Sequence, residues 1–305
     1  MNSGSQKRFA GFIITFRRPD ILSTTIDLVL SQTRSPEKLL IIDNGDEADT
    51  RLMIQSKNDS RLVYFSPGSN LGPAGAAALG LDLLAREGFQ WIFWGDDNDP
   101  PKFEDAFSML LSIPSYYIEE NIGILGSVGQ RFSKLTGNYL RIPDKELVDN
   151  KIIWVNSVAG GHCMIVNSNL IKKNILPDAS LFFGFEELDF CFKAMSAGYT
   201  IVVDCDLFYR SRMSSGRLNY RQPVYFPRPE STLVRQYYSS RNLLIILKRN
   251  SLYLALTYQF LKLVIKAFYG YRYGLHYGLK NMTYLLKGIF DFLVGIRGAY
   301  YSMLK

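Results

Sequence analysis

Short apolar runs alternate with amphipathic stretches through the first two hundred residues, and this alternation restricts the fold more than any other property of the chain. Phe9–Thr15, Leu39–Asp43, Leu62–Phe65, Trp91–Trp94 and Ile122–Leu125 are four to seven residues long and mostly apolar, as expected of buried strands. Between several of them, Ile21–Leu30, Ala74–Arg86 and Phe103–Leu111 carry helical periodicity. Parallel strands need a crossover, and a helix supplies one while covering a face of the sheet. The expected class is α/β: a Rossmann-like, mostly parallel central sheet with helices on both faces. Further strands are expected at Ile152–Val155, Met164–Val166 and Ile201–Asp204, around a helix starting near Glu186. From about Glu230 the pattern turns helical, over Ser231–Lys248, Ser251–Tyr269 and Gly278–Gly295.

On open sheets of this kind ligands bind beyond the carboxyl ends of the strands. Polar residues follow the strands as that rule requires: Thr15-Phe16-Arg17-Arg18, Asp43-Asn44-Gly45-Asp46 and Asp96-Asp97-Asn98-Asp99. The third group carries three carboxylates and a carboxamide, hard oxygen ligands for Mg²⁺ or Mn²⁺, which in turn can hold a diphosphate. The competing reading is a solvated turn, since Asp, Asn and Pro all favour turns. Asp43 is placed to accept hydrogen bonds from a nucleotide's base or ribose, or else to form an Asx turn. The small-residue loop Asn70-Leu71-Gly72-Pro73-Ala74-Gly75-Ala76-Ala77 enters a helix and permits close approach of a ligand or backbone. A second acidic group lies in Phe183-Gly184-Phe185-Glu186-Glu187-Leu188-Asp189-Phe190. Phe185, Leu188, Phe192 and Met195 mark the buried stripe of a helix, leaving Glu187 off it in the first turn. A carboxylate there can take a proton as general base, although first-turn acids also complement the helix dipole.

With 47% apolar and 14% aromatic residues the 305-residue chain is not disordered. Cys163, Cys191 and Cys205 lack CxxC spacing, which indicates neither a disulfide framework nor a zinc site and fits a reducing cytosol. Met1–Arg8 runs into the first strand without the apolar stretch of a signal peptide. The net charge of +7 is unevenly divided: residues 235–305 carry eleven Lys and Arg against one acid, Asp291, and 11 of the 19 tyrosines. The preceding residues carry 24 basic and 27 acidic groups, a net −3. In the tail the uncharged run Ser251–Leu261 is eleven residues, against roughly 20 needed to span hydrocarbon. Lys262, Lys266, Arg272, Lys280, Lys287 and Arg297 are interleaved with Tyr, Phe, Leu and Ile, a composition that suits helices lying on an anionic membrane. A protein interface, including a homo-oligomer through these helices, is the alternative. Nucleic acid is not expected as a partner, because the −3 body lacks an extended basic face.

Taken in order, these segments resemble a family two glycosyltransferase with the GT-A nucleotide-sugar fold. Ile14-Thr15-Phe16-Arg17-Arg18-Pro19 follows the first strand, and Ile42-Asp43-Asn44-Gly45 is similar to the segment that cradles the nucleotide. Asn70-Leu71-Gly72 precedes the small-residue helix. Asp96–Asp99 resembles the DxD-type metal motif, and Glu186-Glu187-Leu188-Asp189 the acidic motif that supplies the base. Arg235-Gln236-Tyr237-Tyr238-Ser239-Ser240-Arg241-Asn242 resembles the RxYYxxRN segment of members that build bacterial cell-surface polysaccharides. Within the family the likeness is to galactofuranosyl- and rhamnosyltransferases.

The resemblance implies a metal-dependent inverting hexosyltransferase, with a GT-A catalytic domain over residues 1–230 and a membrane-surface helical tail over 231–305. UDP-galactofuranose is the favoured donor and a lipid-linked glycan of surface-polysaccharide (O-antigen-like) synthesis the acceptor, at the cytoplasmic face of the bacterial plasma membrane. The alternatives are a dTDP-rhamnose donor, or an inactive GT-A scaffold within an assembly complex. The resemblance further implies donor contacts from Thr15, Phe16, Arg17, Asp43, Asn44, Asn70, Gly72, Asp96 and Asp97. It implies Mn²⁺ or Mg²⁺ on Asp97 with Asp99 or Asp96, and Glu187 as base, with Glu186 second and Asp189 completing the motif. Two departures stand out. Asn98 interrupts the usual run of aspartates, and Phe208-Tyr209-Arg210 stands where relatives often carry a metal-binding histidine. Arg210 or Arg212 is expected to meet the diphosphate instead. His162, in Gly160-Gly161-His162, either faces the acceptor or is structural.

Overall fold

The computed structural model describes residues 8–117, 121–159, 163–220 and 228–300. Met1–Lys7 and His162 lie outside the described residues. The first half alternates as expected: β1 (Phe9–Thr15), α1 (Pro19–Leu30), β2 (Leu39–Asp43), α2 (Ala48–Ser56), β3 (Leu62–Phe65), α3 (Gly72–Arg86), β4 (Trp91–Asp96), α4 (Ala106–Tyr116) and β5 (Ile122–Gly126). It continues with β6 (Gly129–Phe132), β7 (Tyr139–Leu140), α5 (Asp144–Asp149), β8 (Ile152–Trp154), β9 (Ser157–Val158), β10 (Met164–Asn167), α6 (Ser168–Lys172), α7 (Glu186–Ser196), β11 (Thr200–Asp204) and α8 (Cys205–Ser214). The C-terminal region is α9 (Val234–Arg249), α10 (Tyr253–Tyr269) and α11 (Leu275–Val294).

Among the described residues eight strands form one sheet, in the order β3-β2-β1-β4-β10-β5-β11-β8. The β3-β2-β1-β4 and β5-β11 pairings are parallel, whereas β10 runs antiparallel to both β4 and β5, and β8 antiparallel to β11. Alternation of side chains along the strands splits the core into two layers. Phe12, Ile14, Ile42, Ile92 and Trp94 pack with Ala76, Ala77, Leu81 and Leu84 of α3 on one face. Ile13, Ile41, Trp91 and Phe93 pack with Leu22, Ile26 and Val29 of α1 and Phe107 and Leu110 of α4 on the other. Register aligns Thr15 with Asp43 and Ile14 with Asp96, so the polar residues after β1, β2 and β4 meet at one end of the sheet.

α9 is not a surface helix: Tyr237, Tyr238, Arg241, Asn242 and Leu243–Leu247 are all buried. α11 crosses it so closely that a Cβ on Gly288 would lie 2.1 Å from Ser240 Oγ and 2.6 Å from the Tyr237 carbonyl oxygen. α10 buries Ala255, Gln259, Leu263 and Ala267 at four-residue spacing and turns Leu254, Tyr258, Leu261, Ile265 and Phe268 to solvent. No helix among the described residues is long and apolar enough to cross a membrane.

Candidate active site

The loops after β1, β2 and β4 enclose a cavity of about 400 Å³, lined by Thr15, Phe16, Arg18, Asn44, Asn70, Gly72, Asp96, Phe182, Phe183 and Arg235. Its wall near α3 explains the small-residue loop. Asn44 accepts from the Leu71 N–H (3.3 Å) and Asn70 from the Gly72 N–H (2.9 Å), folding the chain back into the helix. Gly72 has φ +68, and a Cβ there would lie 2.3 Å from the Phe182 carbonyl oxygen, so the position requires glycine on two counts.

Asp96 and Asp97 differ in the contacts they make. Asp97 turns inward, where its Oδ2 accepts from Thr15 Oγ1 (2.9 Å), its Oδ1 pairs with Arg18 (2.6 Å), and its carbonyl accepts from Thr25 Oγ1 (2.6 Å). These contacts make Asp97 a strut between β1, α1 and β4; it was expected as metal ligand and donor contact, and it is held by two residues that line the cavity without being among the lining residues itself. Asp96 does line the cavity. Burial pushes its carboxyl up to about 7, and the charges of Glu187, Asp97 and Asp99 add to the rise, with Arg18 opposing. The charges of Asp99 and Glu187 thus both act on Asp96, and carboxylates of this kind are the ligands a hard divalent cation takes. Among the described residues no three His, Cys, Asp or Glu side chains are close enough to hold an ion by themselves. Asp96, which lines the cavity, and Asp99, whose charge acts on it, are the carboxylates that could contribute to holding one.

The α7 carboxylates also differ. Glu186 is buried, and its carboxyl is pushed well above the usual range, first by that burial and then by Glu187 and Asp96. Glu187 is half-buried. Asp189, expected to share in catalysis, is buried beneath the helix and paired with Lys193 (2.7 Å) and Arg249 (2.6 Å), which leaves it a structural anchor.

Other expected donor contacts are occupied elsewhere. Asp43 is buried and accepts from the Gly45 and Glu47 N–H groups (both 2.9 Å) and from Tyr64 Oη (3.1 Å), so the turn reading describes its contacts. Arg17 adopts φ 58 and pairs with Glu47 at 2.9 Å, and it is the neighbouring Arg18 that reaches the cavity. Because α8 starts directly after β11, with Asp204 accepting from the Leu207 N–H, residues 208–212 are helical rather than a loop over the cleft. Arg210 pairs with Asp105 (2.9 Å) and Asp206 (3.3 Å). Arg212 is buried, donating to the Ile142 carbonyl (2.7 Å) and pairing with Asp144. Neither lines the cavity. In their place stands Arg235, in the first turn of α9 with its guanidinium over the Phe183 ring at 5.4 Å. The RxYYxxRN pattern marked that residue in the sequence, but nothing local told that α9 folds back onto the cleft.

A strand-end acidic cluster facing a first-turn acid, on a mixed α/β sheet, describes a nucleotide-sugar transferase. The glycosyl transferase family 2 model matches residues 12–174, and the chain belongs to that family. Over 100 residues it is 34% identical to the galactofuranosyltransferase GlfT1 of Mycolicibacterium smegmatis, a match covering 33% of each chain; it thus spans about a third of the length of the curated relative. Among solved structures, the mannosyltransferase PcManGT from Pyrobaculum calidifontis, in complex with GDP-Man and Mn²⁺, superposes with a TM-score of 0.54 at 11% identity, covering 94% of this chain and 87% of that one. GalNAc-T7 with UDP, GalNAc and Mn²⁺ superposes with a TM-score of 0.58 at 13% identity, covering 96% of this chain and 58% of that one. The fold is of the GT-A type.

Proposed function

We propose that the protein transfers galactofuranose from UDP-galactofuranose to a lipid-linked glycan acceptor in bacterial surface-polysaccharide synthesis, with inversion at the anomeric carbon. The observation that carries the reading is Asp96 lining the cavity at the end of β4, with the first-turn acid Glu187 of α7 near enough for its charge to add to the rise that burial imposes on the Asp96 carboxyl. Glu187 takes the proton of the acceptor hydroxyl as that oxygen bonds to the anomeric carbon, and the bond from that carbon to the diphosphate breaks. A divalent cation held by Asp96 and Asp99 supplies positive charge against the departing diphosphate when bound. Arg18 and Arg235 line the same cavity and would meet the diphosphate oxygens there. Residues 1–230 carry the donor cleft and 231–305 form its helical cover, which also meets the membrane.

Because the protein supplies an incomplete ligand set, UDP and Mn²⁺ together are expected to raise Tm more than the sum of their separate effects. Thermal shift with UDP, and with dTDP for the rhamnosyl alternative, reads this directly. Equal stabilisation by UDP in EDTA would remove the cation from the reading and leave Arg18 and Arg235 as the diphosphate contacts.

Attachment to an anionic membrane surface at the cytoplasmic face of the plasma membrane is part of this reading, and the tail supports such attachment. Leu254, Tyr258, Leu261, Ile265 and Phe268 form an exposed stripe along α10, with Lys262 and Lys266 beside it, in a region of net +10. Each Lys or Arg near an anionic surface contributes about 1 kcal/mol, and apolar insertion adds to it. Full-length protein is expected to sediment with anionic vesicles at low salt, and Leu261→Glu with Ile265→Glu to abolish this without lowering Tm. Pelleting by the double variant at the native level would assign the stripe to a protein interface.

A further inference from the structure

We infer that Asn242, oriented by Arg241, positions the catalytic carboxylate by clamping the strained turn that leads into α7; the inference rests on Glu187 being the base. The turn occupies Leu181–Phe185. Phe182 (φ 62), Gly184 (φ 80) and Phe185 (φ 68) all have positive φ, and for the two phenylalanines that conformation is strained. Left to itself the segment would relax. One amide opposes this: Asn242 Nδ2 lies 3.0 Å from the Leu181 carbonyl oxygen, 2.9 Å from that of Phe183 and 2.9 Å from that of Gly184. Three carbonyls of one turn thus converge on a single buried donor group.

Arg241 fixes that amide. Its Nε donates to Asn242 Oδ1 (3.0 Å) and its Nη2 to the Leu181 carbonyl (3.0 Å). Its Nη1 donates to Tyr237 Oη (2.9 Å), which donates in turn to Asp291 Oδ2 (2.7 Å) on α11. Both Arg241 and Asn242 are wholly buried. Burying a guanidinium and directing its donors at neutral carbonyls is an expensive way merely to pack two helices. It is intelligible if the conformation of the turn is what matters. Phe185 immediately precedes α7, and Glu187 is the second residue of that helix. Relaxation of the turn re-aims the first helical turn and moves the Glu187 carboxylate relative to Asp96 and the acceptor hydroxyl. A displacement of about 1 Å at a reacting group can cost on the order of 10²-fold in rate.

The test is a double-mutant cycle on transfer from UDP-galactofuranose, with UDP binding measured by calorimetry. Asn242→Ala is expected to lower kcat by about 10–10²-fold while KM for the donor and the Kd for UDP stay within about twofold. In a Glu187→Gln background the same substitution should cost little more, because two residues acting through one carboxylate are not additive. If Asn242→Ala does not fold, Asn242→Ser, which keeps one donor, carries the same cycle. A full additive loss in the Glu187→Gln background, or a loss confined to UDP affinity, overturns the positioning role. Native turnover by Glu187→Gln alone overturns the assignment of the base itself, an outcome distinct from additivity.

Discussion

Glu187→Gln is expected to lower kcat by about 10²–10⁴-fold, the usual contribution of a general base, and to leave UDP affinity nearly unchanged. The substitution removes a proton acceptor and preserves shape, and Glu187 is half-buried beside Asp96 rather than locked into the core. Glu186→Gln supplies the contrast. The Glu186 carboxyl is buried, and that burial holds it well above the usual range, so a neutral glutamine of the same shape is expected to be tolerated there with little loss of turnover. Steady-state kinetics on the two variants decides between the neighbouring acids. Glu187→Gln with native turnover and an inactive Glu186→Gln would exchange their roles, and activity in both would place the base outside α7.

Gly72→Ala is expected to be the most damaging small substitution in the cleft, costing about 3–5 kcal/mol from the left-handed backbone and the steric overlap together. Its Cβ would lie 2.3 Å from the Phe182 carbonyl oxygen and 2.7 Å from the Phe182 ring. Neither can retreat freely, because that carbonyl accepts from the Ala74 N–H at 3.2 Å and the ring stacks on Tyr238 at 5.7 Å. The measurement is Tm, expected to fall by roughly 10 °C for a chain of this size. An unchanged Tm would mean that the turn before α7 yields easily, and would also weaken the role given to Asn242.

Sequence pattern resolved the fold well where burial is symmetrical. Strands such as Leu39–Asp43 and Trp91–Trp94 are apolar throughout because both faces are covered, and that signature needs no tertiary information. The antiparallel insertion of β10 was not legible, since Met164–Val166 reads the same in either direction. No helix was expected over residues 205–214, where Asp206, Arg210 and Arg212 interrupt the apolar pattern; in the structure α8 forms there, and Asp105, Asp206 and Asp144 pair with those arginines. Within the cleft, residue type indicated the chemistry and not the direction of each side chain. Asp96 and Asp97 are equivalent in the sequence, yet alternation along β4 and the pairing of Asp97 with Thr15 and Arg18 give them opposite surroundings. Arg235 and Asn242 lie more than fifty residues from the groups they approach, and only the return of α9 over the turn before α7 brings them there.

The antiparallel β10 has a consequence for how the chain is made. β4 and β5 never touch one another as partners; each pairs with β10, through Met164–Trp94 and Val166–Ile92 on one side and Ile165–Leu125 on the other. A ribosome adding about 5–20 residues per second completes β4 on the order of ten seconds before it delivers Met164. Throughout that interval one side of a strand that is apolar from Trp91 to Trp94 is left without hydrogen-bonding partners, the state most prone to join a neighbouring nascent chain. The N-terminal four strands can assemble early, but the end of the sheet that carries Asp96 gains its last lateral support only when the centre is filled. Productive synthesis of this protein should therefore depend on chaperone protection of roughly the first 165 residues, and premature termination anywhere before β10 should yield aggregates rather than a smaller soluble domain.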